Sequence, residues 1–226
     1  YYQYGDENTA SQEQSGNSNN AFSRQFGNNN FARQFQNGNN NRALNGDWYS
    51  PGQNGNGNIL YQSQSGDWNT ATNWQVGNGN YSNQFQRVGN YNVAYAEQHG
   101  NNNTNLQGQE GNENSAFSYK LGNFNRSVQY TWGNNNNSNT DQFGNGNNAE
   151  QLQGVTRIGG GYYYGSLSDD NDADIYQEGD DNEAFQLQLG LEHSAMTWQL
   201  GSGNSANSSQ TGNNHISTIT QTGNGN

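Results

Sequence analysis

The chain has 226 residues, a formal net charge of −12, no cysteine and one proline, and only 27% of it is hydrophobic, against about 45–50% apolar content in an ordinary globular domain. These totals exclude a disulfide framework, a thiolate metal site and a thiol nucleophile, and they disfavour nucleic acid, which rewards a basic footprint. No apolar run approaches the roughly 18 residues of a membrane-spanning helix, so no membrane insertion is expected. The bulk is Asn, Gly, Gln and Ser, a composition prone to β-aggregation.

The chain opens on Tyr1 without Met, which reads as a mature, processed product or a trimmed one. From Gln3 onward it repeats one word. Starting a unit at each Gln-x-Gly places starts at 3, 14, 25, 36, 53, 64, 75, 87, 98, 109, 120, 131, 142, 153, 177, 188, 199, 210 and 221, with a usual step of eleven. Gln holds the first position in sixteen of these nineteen units, Arg87, Lys120 and Thr131 being the exceptions. Gly holds the third in eighteen, and Asn the sixth in seventeen, with His193 and His215 in the other two. Position eight is Ala or Ser in sixteen of eighteen units.

Position ten divides the units into two kinds. Gln12, Gln34, Gln62, Gln84, Gln107, Gln129, Gln151 and Gln186 occupy it in alternate units. Ser23, Asn45, Asn73, Ala96, Ser118, Thr140, Ile175 and Thr197 occupy it between them. The structural period is therefore twenty-two, built from two distinct halves of eleven.

Side chains alternate faces along a strand. One face of each unit carries Gln, Gly, Asn, Ala or Ser and the position-ten residue, and reads as interior. The other carries variable residues such as Phe22, Arg33, Tyr61, Leu106 and Glu150 and reads as solvent-facing. Positions four and five break the alternation and read as a tight two-residue turn, leaving a strand of about nine residues. Two strands per coil predict an all-β, two-sided β-solenoid of about nine to ten rungs, stacked as parallel cross-β at about 4.7–4.8 Å. Identical amides then pair by translation, which spares each the cost of burial without a partner, about 1–3 kcal/mol.

The solenoid is expected to span 1–226 as one domain, with three breaks in register. Residues 47–52, "DWYSPG", form an expected surface loop. One extra residue near Gln86–Arg87 reads as a β-bulge. An insertion at about 155–170, containing "RIGGGYYYGSLSDD", reads as an enlarged turn; the alternative is that its tyrosines cover an adjacent surface, such as a neighbouring fibril.

The word Gln-x-Gly-x-x-Asn-x-Ala-x-x-x-Gln stands complete as Gln25, Gly27, Asn30, Ala32 and Gln36. It returns as Gln109, Gly111, Asn114 and Ala116, with Lys120 replacing the last Gln. This pattern resembles the repeat of curlins, the subunits of bacterial curli fibres, over nearly the whole chain. The resemblance implies a secreted subunit of extracellular functional amyloid in the biofilm matrix of a Gram-negative bacterium. It also implies a nucleator subunit and a dedicated export channel as partners. Asn usually stands where curlins often have Ser, six residues before Gln, as Asn19 does before Gln25.

Open strand edges template another chain, and a head-to-tail contact that does not close yields a filament. The expected function is self-assembly with the chain itself as partner and no chemistry, hence no enzyme and no cofactor. The ladder residues expected to carry it are Gln3, Gly5, Asn8, Gln14, Gly16, Asn19, Gln25, Gly27 and Asn30 at one end. At the other they are Gln199, Gly201, Asn204, Gln210, Gly212, Gln221, Gly223 and Asn226. A soluble solenoid that binds ice or a glycan is the alternative, as is a minor or nucleator curli subunit.

His193 and His215 lie one period apart and are weak metal candidates; as substitutes in the Asn ladder they need no metal. "DDNDAD" at Asp169–Asp174 has alternating carboxylates, but Ile175 stands where a calcium loop needs Gly, so a solvated acidic turn is expected. His99 and the aromatics Trp74, Tyr119, Tyr130 and Trp198 are expected to face outward.

Overall fold

Amides that must be paired, placed every second residue along a strand, favour a stack in which each meets its own kind. The computed structural model describes residues 2–46, 52–158, 162–165 and 168–226. Among them no helix occurs, and the strands form two large parallel sheets, one of eleven strands and one of nine. The first sheet takes alternate strands beginning with Tyr2–Tyr4, Asn20–Phe26 and Arg42–Asn45 and ending with Ser194–Leu200 and Ile216–Thr222. The second begins with Thr9–Ser15, Phe31–Asn37 and Ile59–Ser65 and ends with Ser205–Asn213. Apart from the two insertions, the chain passes from one sheet to the other after each strand. This is the two-sided β-solenoid, with about 22 residues per turn: Gln3 pairs with Gln25 and Ala10 with Ala32.

Most strands are seven residues long, shorter than the nine expected, because the corner takes four residues rather than two. The third-position Gly belongs to the corner. Gly77 shows why no other residue fits there. Its φ is +114°, and a Cβ would collide with the Gly100 carbonyl oxygen one rung away. The corner closes on a second left-handed residue at position five, such as Asn102 with φ +56°, a conformation that Asn tolerates better than most residues.

Two of the breaks in register have different structures from those expected. The extra residue near Gln86–Arg87 is not a strand bulge. Gln86 itself pairs with Gln64 and Gln109, so Gln86, not Arg87, holds the first position of its unit. The surplus is absorbed in the corner, where Val88 is 81% exposed with φ +48°. The insertion at 155–170 is more than an enlarged turn: Val155–Ile158 and Tyr162–Gly165 form an antiparallel hairpin, with Gly165 against the Trp132 ring. Asp47–Pro51, most of the expected surface loop, lie outside the described residues. The strand they interrupt resumes in the first sheet: Arg42–Asn45 and Gln53–Asn54 lie end to end between Asn20–Phe26 and Thr70–Val76.

The interior is chiefly polar. Its largest fully buried side chains include Gln25, Gln34, Gln36, Gln53, Gln62, Gln64 and Gln75, together with Lys120 and His193. Apolar filling comes mainly from small residues at position eight, such as Ala71, Ala94 and Ala116.

Candidate functional site

Among the described residues three Gln ladders and two inward Asn ladders run along the stack, and each Gln and Asn expected from the sequence falls in one of them. In the first sheet Gln3 Nε2 donates to Gln25 Oε1 at 2.7 Å, and Gln25 to Gln53 at 2.8 Å. Toward the other end Gln177 donates to Gln199, and Gln199 to Gln221 at 2.8 Å. In the second sheet Gln14 donates to Gln36 at 2.6 Å, and Gln188 to Gln210 at 3.1 Å. Every such bond runs the same way: the NH2 of the earlier rung meets the carbonyl of the later one. The Gln ladders are therefore polar.

The position-ten Gln residues explain the alternation of halves. Gln107 Nε2 reaches across the interior to the Tyr95 and Ala116 carbonyls of the opposite sheet, at 2.8 and 3.0 Å. It also donates to Gln129 Oε1. Gln34, Gln129 and Gln151 make equivalent crossings. A backbone carbonyl has a second lone pair to receive such a bond. Two long amides facing each other would not fit, so the opposite half carries a shorter or apolar residue.

The Asn ladders bind the corners. Asn8, Asn19, Asn30 and Asn204 donate through Nδ2 to the carbonyls of Gly27, Gly38, Gly55 and Gly223 at 2.6–2.9 Å. The backbone N–H of Asn226 donates to Asn204 Oδ1. Gly5, Gly16, Gly201 and Gly212 occupy the same corners, all with positive φ.

His193 and His215 continue one of these ladders. Their rings stack with centroids 5.3 Å apart and 9° between planes. The His215 backbone N–H donates to His193 Nδ1 at 3.2 Å, and His193 Nε2 lies 3.2 Å from the Leu189 carbonyl. One nitrogen thus accepts as an Asn oxygen would, and the other donates as its NH2 would. Among the described residues no group of three or more His, Cys, Asp or Glu is placed to hold a metal. The run Asp169–Asp174 is divided: Asp169 and Asp170 cap Asn134 and Asn135 at a corner, while Asp172 and Asp174 stand on the outer face. Burial, reinforced by the charge of Asp172, raises the Asp174 carboxyl above the usual range, and burial raises Asp141.

Outward residues also meet across rungs. Tyr119, Phe143, Tyr176 and Trp198 form a continuous row with centroids 4.8–5.6 Å apart. Trp74 meets Tyr95 and Tyr130 meets Phe85. His99 is only half-exposed and pairs with Glu97 at 2.6 Å.

Residues 169–196 match the family model of the curlin associated repeat. The chain is curlin-like. The matched segment holds Gln177, Gly179, Asn182, Ala184 and Gln188, whose Gln and Asn side chains lie in the ladders described above. Curlins are structural rather than enzymatic, and the repeat is associated with secreted curli fibres. No curated protein matches the curlin-like chain by sequence. Among its described residues no helix is long and apolar enough to cross a membrane.

One interior position departs from the pattern in a way that its place in the repeat does not reveal. Lys120, in the Gln ladder of the first sheet, is fully buried. Its Nζ turns aside to Ser118 Oγ at 2.6 Å and Ser127 Oγ at 2.9 Å. Burial, with the Arg126 charge adding to it, pulls its amine well below the usual lysine range. Gln142 Oε1, next in the ladder, is left buried without a hydrogen bond.

Proposed function

We propose that this chain is a structural subunit that self-assembles head to tail into extracellular, curli-like amyloid fibres of a biofilm matrix. The observation that carries this reading is the polar translational repeat. Each rung offers Gln amide donors toward the next rung and Gln carbonyl acceptors toward the one before, while its inward Asn amides donate the opposite way, to the Asn Oδ1 of the earlier rung. A rung of a second copy satisfies the same groups only when it stacks in the same sense, so the contact is directional and does not close. The curlin match supports a secreted, curli-like structural subunit; the proposal adds a nucleator subunit and an export channel as further partners. The inward Gln, Gly and Asn residues serve fold and interface by the same bonds.

Dilution of the denatured chain into buffer, followed by electron microscopy and fibre diffraction, tests this. The expected result is unbranched filaments with a meridional reflection at about 4.7–4.8 Å, whose sheared fragments accelerate growth. A folded chain that remains monomeric at micromolar concentration, with or without fragments, refutes it.

A further inference from the structure

The outer face of the second sheet carries a groove of about 340 Å³, lined by Arg33, Phe35, Tyr61, Ser63, Phe85 and Arg87 among others. Its shape follows from register. Phe35, Ser63 and Phe85 stand in one column on three successive strands. Ser63 is thus the floor of a slot between two phenyl-bearing positions, two rungs or about 9.5 Å apart at the rung spacing. A ring in van der Waals contact on both sides needs about 7–8 Å.

The slot stays open because of a third residue. Phe85 leans away from Ser63 over Gly108, where a Cβ would collide with both Phe85 and Tyr130. The two rings meet there with centroids 5.5 Å apart. Arg87 is held on the same side, its guanidinium 4.9 Å from the Phe85 ring centre. Arg33 lies diagonally opposite, two rungs away. Both arginines are exposed, and neither is in an ion pair among the described residues.

The charge of this groove runs against that of the molecule. The chain carries −12 overall, yet no carboxylate lines the groove. The neighbouring acids in register, Glu13 and Glu110, stand one strand outside it on either side. The lining therefore combines a ring-wide slot with two planar guanidiniums, which favour carboxylate and sulfate groups through paired N–H bonds. It adds neutral hydrogen-bonding groups for hydroxyls: Ser63 Oγ, the Asn83 amide and the Tyr61 phenol.

We infer that this groove is a binding site for an acidic polysaccharide, with one sugar ring over Ser63 and flanking carboxylate or sulfate groups on Arg33 and Arg87. A compact protein carboxylate would use the arginines but leave the slot and its hydroxyl partners empty. The site does not depend on filament formation, since all its residues belong to one copy.

The test is calorimetric titration of the full chain, as monomer and as any assembled form, with polygalacturonate oligomers. Dextran and poly-glutamate serve as the neutral and peptide counterparts. Polygalacturonate should bind, and the double substitution Arg33→Gln, Arg87→Gln should weaken it at least about tenfold. Arg33→Lys with Arg87→Lys should recover only part of that loss, because the fork geometry is missing. Gly108→Val, which pushes Phe85 back over Ser63, should weaken binding with both arginines intact. Circular dichroism confirms that each variant keeps its β-structure; if Gly108→Val does not fold, the exposed arginine pair decides the matter alone. Absence of polygalacturonate binding, indifference to the arginine substitutions, or equal binding of dextran or poly-glutamate overturns the inference.

Discussion

Replacing Lys120 with glutamine should stabilise the solenoid, although it removes every hydrogen bond the lysine makes. Lys120 lies in register between Gln98 and Gln142, in a ladder where Gln75 donates to Gln98 and Gln142 to Gln177. A glutamine there would supply the donor that buried Gln142 Oε1 lacks. An unsatisfied buried acceptor costs about 1–3 kcal/mol, and burial of the amine adds to the present cost. The groups that Lys120 now contacts would stay paired: Ser118 and Ser127 hydroxyls lie 2.8 Å apart, and Ser127 donates to Asn105. A gain of about 2 kcal/mol corresponds to roughly thirty-fold slower exchange through local opening. Hydrogen exchange of peptides covering 115–143, followed by mass spectrometry, reads it directly. Lys120→Met removes the amine but leaves Gln142 unpaired, so it should gain less; the difference isolates the ladder bond. The effect also has a sign in pH. The folded-state pKa is depressed below 10.5, so above that depressed value the folded chain binds fewer protons than the unfolded one, and stability rises with pH toward 10.5. The cost is fully present below the depressed pKa. The advantage of Lys120→Gln should therefore shrink as pH rises from the depressed pKa toward 10.5, once exchange is corrected for its intrinsic rate. Unchanged or faster exchange in Lys120→Gln at neutral pH would refute the reasoning.

Two further substitutions separate causes that the repeat superimposes. Gly77→Ala should cost about 3 kcal/mol or more, because the new Cβ meets the Gly100 carbonyl and the rung must open. Gly57→Ala, also at positive φ but with nothing within 4 Å, should cost about 1 kcal/mol; urea midpoints that do not differ would show that inter-rung approach is not what requires Gly. His193→Asn should leave stability within about 0.5 kcal/mol, since both of its bonds have Asn equivalents. His193→Leu should lose about 1–3 kcal/mol and expose the His215 amide to exchange. A loss of similar size in His193→Asn would mean that the stacked pair has a role of its own.

The sequence by itself determined the period, the inward face and the identity of each ladder. It could do so because translation makes a residue's neighbour its own counterpart twenty-two positions away: a contact map is written into the repeat. The same logic found Gln3 over Gln25, Asn204 under Asn226 and the His193–His215 stack. It also marked Lys120 and Thr131 as departures, since both stand where Gln is the rule. What an interior departure does lay beyond it. Whether Lys120 continues its ladder or turns to Ser118 and Ser127 depends on space across the interior, between sheets that the repeat does not align atom by atom. The repeat alone likewise misplaces the surplus residue, as a strand bulge with Arg87 at the head of its unit. Gln86 and Arg87 are adjacent, and only the pairing of Gln86 with Gln64 and Gln109 puts the surplus in the corner, where Val88 faces solvent. The outer face was least legible, because its residues are not repeated. The groove over Ser63 exists because Phe35, Phe85, Gly108 and Tyr130 fall on neighbouring strands at one height, and tertiary packing then decides which way Phe85 leans.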